Sequence, residues 1–110
     1  MFNINGIDWA IVKTSPNHHK LARSDGSFTV GACDNDTKTI YLNENLTDNF
    51  FKKVLCHEIT HAAMFSYGVN ISIEQEELLA DLIATYGEEI IYITNKIFRK
   101  IKNAGTDIYY

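Results

Sequence analysis

Two histidines stand four residues apart in "VLCHEITHAAMFSYG" (Val54 to Gly68), with a glutamate directly after the first. On a helix, residues i and i+4 lie one turn apart on the same side. His57 and His61 can therefore hold one metal ion from two sides. Glu58 is rotated by roughly 100°, which takes it out of the ligand direction but leaves it beside a water at an open metal position. Two ligands plus a general base is the equipment of metal-assisted hydrolysis. The plain alternative is a pair of buried, hydrogen-bonded histidines. On a helix this apolar, burying both rings without partners costs several kcal/mol, and a metal supplies both partners at once.

A zinc site with an open position needs a third protein ligand. "EQEELLAD" (Glu74 to Asp81) is the source, if the chain turns at Gly68 and a second helix returns past the first. Glu77 and Asp81 are an i, i+4 pair sharing a face. With Glu77 on the metal, Asp81 lies one turn further, where it can accept the free N–H of a ligating histidine and fix its tautomer. Glu76 has Ala80 at i+4 and no such partner, and Glu74 sits at the start of the helix. The expectation is one Zn2+ held by His57, His61 and Glu77, with Asp81 behind a histidine, Glu58 as the catalytic residue, and no other cofactor. The competing reading of the acids is a solvated helix start that suits the macrodipole. His18 and His19 read as surface residues and Cys56 as a buried thiol. Cys33 upstream of the motif is similar in order to the peptide deformylases, but "VGACDND" lacks their surrounding pattern. A Cys33–zinc bond would close the site.

The elements that must position these residues read as strands first and helices second. "IDWAIVK" (Ile7 to Lys13) is β-branched and alternates, so it predicts a strand. Ser15 and Pro16 predict the cap and first residue of a short helix to about Arg23. "SFTVGAC" and "KTIYLN" flank the turn-forming "DNDT" and predict a hairpin. From Leu46 the period turns helical, with Thr47 able to cap the helix. Phe50, Phe51, Val54, Leu55, Ile59, Ala62, Ala63 and Phe65 surround most of that helix, which is expected to be buried. Gly68 suits its C-terminal end. A second long helix is predicted from about Glu74 to about Asn103, with a stripe at Leu79, Leu82, Ile83, Tyr86, Ile90, Ile93, Ile97 and Ile101. Gly87 is its weak point. Strands followed by helices indicate an α+β fold with a small antiparallel or mixed sheet.

Length and composition agree with one domain over residues 1–110. The net charge of −4 and pI near 5.4 argue against nucleic-acid binding. No apolar run is long enough for a membrane span, and "MFNINGIDWAIVK" lacks the order of a secretory signal. Two cysteines do not make a disulfide framework. The expectation is a cytoplasmic protein with reduced thiols.

"HEITH" followed by "EELLAD" resembles the gluzincin zinc metallopeptidases, in which a helix bearing HExxH precedes a helix bearing ExxxD. It is similar in particular to the short phage-borne and prokaryotic members, the minigluzincins and ImmA/IrrE-like peptidases. The resemblance implies zinc on His57, His61 and Glu77, Glu58 as general base and acid, and Asp81 as the partner of a histidine. It implies that the strand containing "TVGAC" is an edge strand beside the cleft, pairing with a peptide or protein substrate by β-augmentation. Larger members add a Tyr, His or Arg that stabilises the oxyanion. Tyr67, Tyr109 and Tyr110 are candidates here, with none singled out, and the tail "NAGTDIYY" could pack across the cleft. The competing function is a latent or non-enzymatic zinc-binding structural or regulatory protein, of phage origin.

Overall fold

In the computed structural model, which describes residues 1–104, a four-stranded sheet precedes a set of helices laid against it. The strands are β1 (Phe2–Ile4), β2 (Ile7–Thr14), β3 (Gly31–Asp34) and β4 (Thr39–Asn43), in spatial order β1-β2-β4-β3. β1 and β2 are antiparallel, β2 and β4 parallel, and β3 and β4 antiparallel. The sheet is thus mixed and the fold α+β. β1 was not foreseen, yet its signal is in the sequence. Asn5 and Gly6 take φ of 50° and 81°, the left-handed pair that an Asn-Gly hairpin turn requires. In the second hairpin, the Asp34 carboxylate accepts from the Asp36 and Thr37 N–H groups at 2.9 and 3.4 Å, which is how "DNDT" turns.

The expected helix from Ser15 to Arg23 does not form. Only a 3-10 turn, His19–Leu21, is present, capped by His18, whose Nδ1 accepts from the Lys20 N–H. Leu21 is fully buried and its carbonyl accepts from the Thr29 N–H at 2.8 Å, while Ala22 bridges Phe28. One apolar residue cannot anchor a helical stripe, and the backbone instead pairs with the chain leading into β3.

Helix α1 (Asp48–Ser66) crosses one face of the sheet. Trp9, Ile40 and Leu42 from the strands meet Val54 and Ala62 from the helix in the core. Trp9 Nε1 donates to Ser66 Oγ at 2.8 Å and anchors the helix end. Burial is one-sided, not wrapped as expected: Phe50 and Phe65 are 43% and 38% exposed. Gly68, at φ +65°, ends the helix. Its N–H bonds Phe65 C=O, and the Val69 N–H bonds Met64 C=O, a Schellman arrangement that turns the chain back.

Helix α2 (Ile73–Leu82) starts with a capping box. The Ser72 hydroxyl accepts from the Gln75 N–H, and the Gln75 side chain accepts from the Ser72 N–H. A π-helical turn, Ile83–Gly87, links α2 to α3 (Glu88–Ala104). The long helix is therefore nearly continuous, and its interruption falls at the predicted weak point. Gly87 packs closely there: a Cβ would lie 3.2 Å from Ile83 Cγ2. The predicted stripe is already open to solvent at this turn, with Leu82 48% and Ile83 37% exposed. Lys52, in the early part of α1, pairs with Glu88 at 3.1 Å, so α3 runs on past the end of α1. Ile90 and Ile93 are 52% and 45% exposed. The radius of gyration is 17.2 Å, against about 13 Å for a compact chain of this size, because α3 projects from the body.

Candidate metal centre

The Schellman turn and the capping box together set the first turns of α2 against the middle of α1. Three carboxylates meet two histidine rings there. His57 Nε2 lies 3.2 Å from Glu77 Oε2, and His61 Nε2 lies 3.0 Å from Glu77 Oε1. The two Nε2 atoms are 3.1 Å apart. On the far sides of the rings, Asp81 Oδ1 is 2.9 Å from His57 Nδ1 and Glu76 Oε1 is 2.6 Å from His61 Nδ1.

These distances assign the tautomers. A carboxylate beside each Nδ1 calls for a proton on that nitrogen, which leaves a lone pair on each Nε2 of the neutral rings. Two lone pairs and the Glu77 carboxylate then converge on one point. Such a group of electron-rich atoms repels itself unless a cation sits among them. His57, His61 and Glu77 each offer a ligand atom within 4.8 Å of the others, and two imidazoles with one carboxylate suit zinc with an open position. The donor set fits the ion that the sequence called for.

Glu58 is buried, 7% exposed, beside this group. Burial raises its carboxyl above the ordinary range; the Glu77 charge pushes the same way, and His57 and His61 pull against it. Gly31 of β3 lies against Glu58: a Cβ there would stand 2.8 Å from Val54 Cγ1 and 3.0 Å from Glu58 Oε2. Only a glycine lets the edge strand approach so closely.

The rings and Glu58 sit where two clefts join. One, of about 430 Å³, is polar and runs along Gly31, Ala32 and Cys33 toward Glu76. The other, of about 560 Å³, carries Val30, Phe50, Val54 and Ala84. Arg23 and Thr29 line both. β3 is the sheet's edge strand on this side.

Among the sequence candidates, His57, Glu58, His61, Glu77 and Asp81 are brought together. Glu76, passed over as a ligand for want of an i+4 partner, stands outside the ligand group, but its place beside His61 Nδ1 across the helix interface is not read from the sequence. The signal was its place in the first turns after the Ser72 cap, one residue before Glu77. Arg23 was also missed, being expected on a helix that does not form. Cys33 lines a cleft with its thiol pushed up to about 12, chiefly by burial and then by Glu58 and Glu76, and it stands outside the three-residue ligand group. Cys56 is half-buried, away from the rings. His18 is partly buried, stacked on His19 and Tyr41, rather than fully on the surface. Tyr67 is 64% exposed and lines neither of the two clefts. Tyr109, Tyr110 and most of the tail lie outside the described residues.

Comparison with family models decides the relationship. Residues 10–98 match the IrrE N-terminal-like domain (Peptidase_M78). The chain belongs to that family. The match runs from β2 through most of α3 and includes both helices of the metal centre. The chain matches none of the curated proteins and none of the solved structures. Membership makes this a metallopeptidase-like protein, with peptides or proteins as the substrate class at the level of the family. Among the described residues, no helix is long and apolar enough to cross a membrane.

Proposed function

We propose that the protein hydrolyses peptide bonds with zinc held by His57, His61 and Glu77. The observation that carries this reading is the convergence of two Nε2 lone pairs and a carboxylate beside a buried glutamate. Bound zinc supplies a Lewis acid that polarises a carbonyl and acidifies water.

Every other part belongs to the chain. Glu58 takes the proton of the attacking water and returns it to the leaving amine. Its raised affinity for protons, from burial, suits both halves of that transfer. Asp81 and Glu76 hold the two rings by their Nδ1–H groups and keep the Nε2 lone pairs aimed inward. Gly31 brings the edge strand β3 close to Glu58, so an extended peptide pairing with β3 places a carbonyl near the base. Phe50 and Val54 offer an apolar wall to one side of the scissile bond, and Arg23 a cation facing both clefts.

The test is metal content followed by turnover. Purified protein should carry about one equivalent of zinc, as a site of this donor set binds one ion. Glu58→Ala should keep the metal and lose cleavage of a peptide library by about 10²–10⁴-fold, the range of a general base. Full activity in Glu58→Ala would overturn the mechanism. Zinc binding without cleavage by the wild type would leave the latent or regulatory reading in its place.

A further inference from the structure

From the π turn onward the long helix carries an apolar seam, and its α3 part, from Ile90 on, is left open to solvent or half so. Ile83, Tyr86, Ile90, Ile93 and Ile97 follow one another at alternating spacings of three and four, the pattern of a helix that packs along another helix. They are solvent-exposed or half so: Tyr86 53%, Ile90 52%, Ile93 45%. Besides the π turn from which it emerges, α3 meets the body at its first residue, Glu88, which pairs with Lys52 of α1. A lone helix of this length is marginal in water unless an apolar face is buried. A partner for the seam is therefore a physical requirement of the helix itself.

The charges identify the partner. Glu88 and Glu89 stand at the start of α3, and Lys96, Arg99, Lys100 and Lys102 in its second half. Two copies laid parallel would set four cations against four cations. Laid antiparallel, the acidic end of each faces the basic end of the other. A two-fold axis near the level of Ile93 then makes every contact twice, as an isologous pair requires. α3 is about 25 Å long at 1.5 Å per residue, enough for the whole seam to be covered on both copies. A helix built to lie on an anionic membrane distributes cations along its polar face; here the two signs are separated end to end.

We propose that α3 is a self-association helix, and that its partner is the α3 of a second copy of this chain, packed antiparallel. The metal centre is at the other end of the helical run and takes no part in the contact.

The test is sedimentation of the full 110-residue chain over a concentration series. The wild type should dimerise, more weakly at high salt as end-to-end charge pairs are screened. Ile93→Lys should raise the dimer dissociation constant by about tenfold or more, as loss of a central anchor does. Trp9 emission, from the core of the body, checks that the variant remains folded. Two further variants test direction: Glu88→Lys/Glu89→Lys, and Arg99→Glu/Lys100→Glu. Each alone should self-associate less than wild type, and an equal mixture of the two should recover a heterodimer. A wild type that stays monomeric, an Ile93→Lys dimer of unchanged strength, or a mixture that fails to associate would each overturn the proposal. So would a chain that is monomeric in buffer and binds vesicles containing phosphatidylserine.

Discussion

The helical run from Ile73 to Ala104 treats its two ends in opposite ways. In α2, carboxylates are set against another helix: Glu76 has a side chain only 16% exposed. In α3, isoleucines face water. Ordinary partitioning would reverse both. The difference lies in the neighbour. α2 lies along α1 where His57 and His61 present ring N–H groups, so its acids find partners that offset their desolvation. α3 runs on beyond α1 after Glu88, and its isoleucines from Ile90 on are open to solvent or half so. Burial along one helix is decided by what stands opposite, and polarity follows function.

The largest expected effect removes what the acids of α2 face. His61→Ala deletes one of three converging donors and leaves the Glu76 carboxylate half-buried with no partner. The variant should lose stoichiometric zinc, read by elemental analysis. The wild type's thermal stabilisation by added zinc, about 2.7 kcal/mol at a hundredfold excess over Kd, should vanish with it. On α3, Ile93→Ala at concentrations where the chain is monomeric should shift stability by no more than about 0.5 kcal/mol. If the two substitutions cost the same, the contrast between the ends is wrong.

A smaller effect separates the two outer carboxylates. Glu76→Gln and Asp81→Asn keep the shape of each group but remove its charge. Each should weaken zinc binding by about 10–100-fold in competition with a chelating dye, as lost partners of ligating histidines do. Glu76 should cost more, because the Asp81 side chain is 69% exposed and water can replace it.

This contrast also shows what could be read in the sequence. Repeats of one residue type at helical spacing were legible: His57 and His61, Glu77 and Asp81, and the existence of both long helices. The C-terminal glycine of α1 and the turn at "DNDT" were legible because their backbone chemistry is local. Glu76 was not, since its partner lies fifteen positions back in the chain and only the angle between α1 and α2 brings them together. The exposure of α3 was not either. A stripe at 3–4 spacing says that a face seeks cover, and says nothing about whether the same chain provides it. The loss of the Ser15 helix has the same cause: a good cap is outweighed by Leu21 pairing with a segment eight residues on.

Third in size is the approach of β3 to Glu58. In Gly31→Ala the new methyl would stand 2.8 Å from Val54 Cγ1. Both atoms belong to packed elements, so strand or helix must shift, at about 1–3 kcal/mol for overpacking. Denaturant unfolding reads that cost. Because Glu58 is the other near neighbour, cleavage should fall further than stability alone explains, with zinc content unchanged. Lost stability with full specific activity would mean that β3 does not set the position of Glu58.

The smallest effect is a carboxylate–cation pair at the edge of the sheet, away from the metal centre. Lys20 Nζ lies 2.9 Å from Asp34 Oδ2 at the edge of the sheet. Lys20 first, then the Asp36 and Thr37 N–H groups, hold the Asp34 carboxyl down to about 2. An unfolded Asp takes up its proton near pH 3.9, so between that value and about 2 the unfolded chain binds more protons than the folded one. The contribution of Asp34 is therefore complete above about pH 4 and is lost as pH falls through the folded value. Lys20→Met keeps much of the aliphatic stem and removes the cation, which also lies 5.9 Å from the Tyr41 ring centroid. The difference in denaturant midpoint between wild type and variant should be present at pH 5 and shrink toward pH 2. It should be small even at pH 5, since exposed pairs contribute little. Taking the difference cancels the titration of the histidine–carboxylate group, which both proteins share. A difference that grows on acidification would mean that Lys20 is not what holds Asp34 down. A large difference at pH 5 would mean that this pair contributes more than a solvent-reached ion pair ordinarily does.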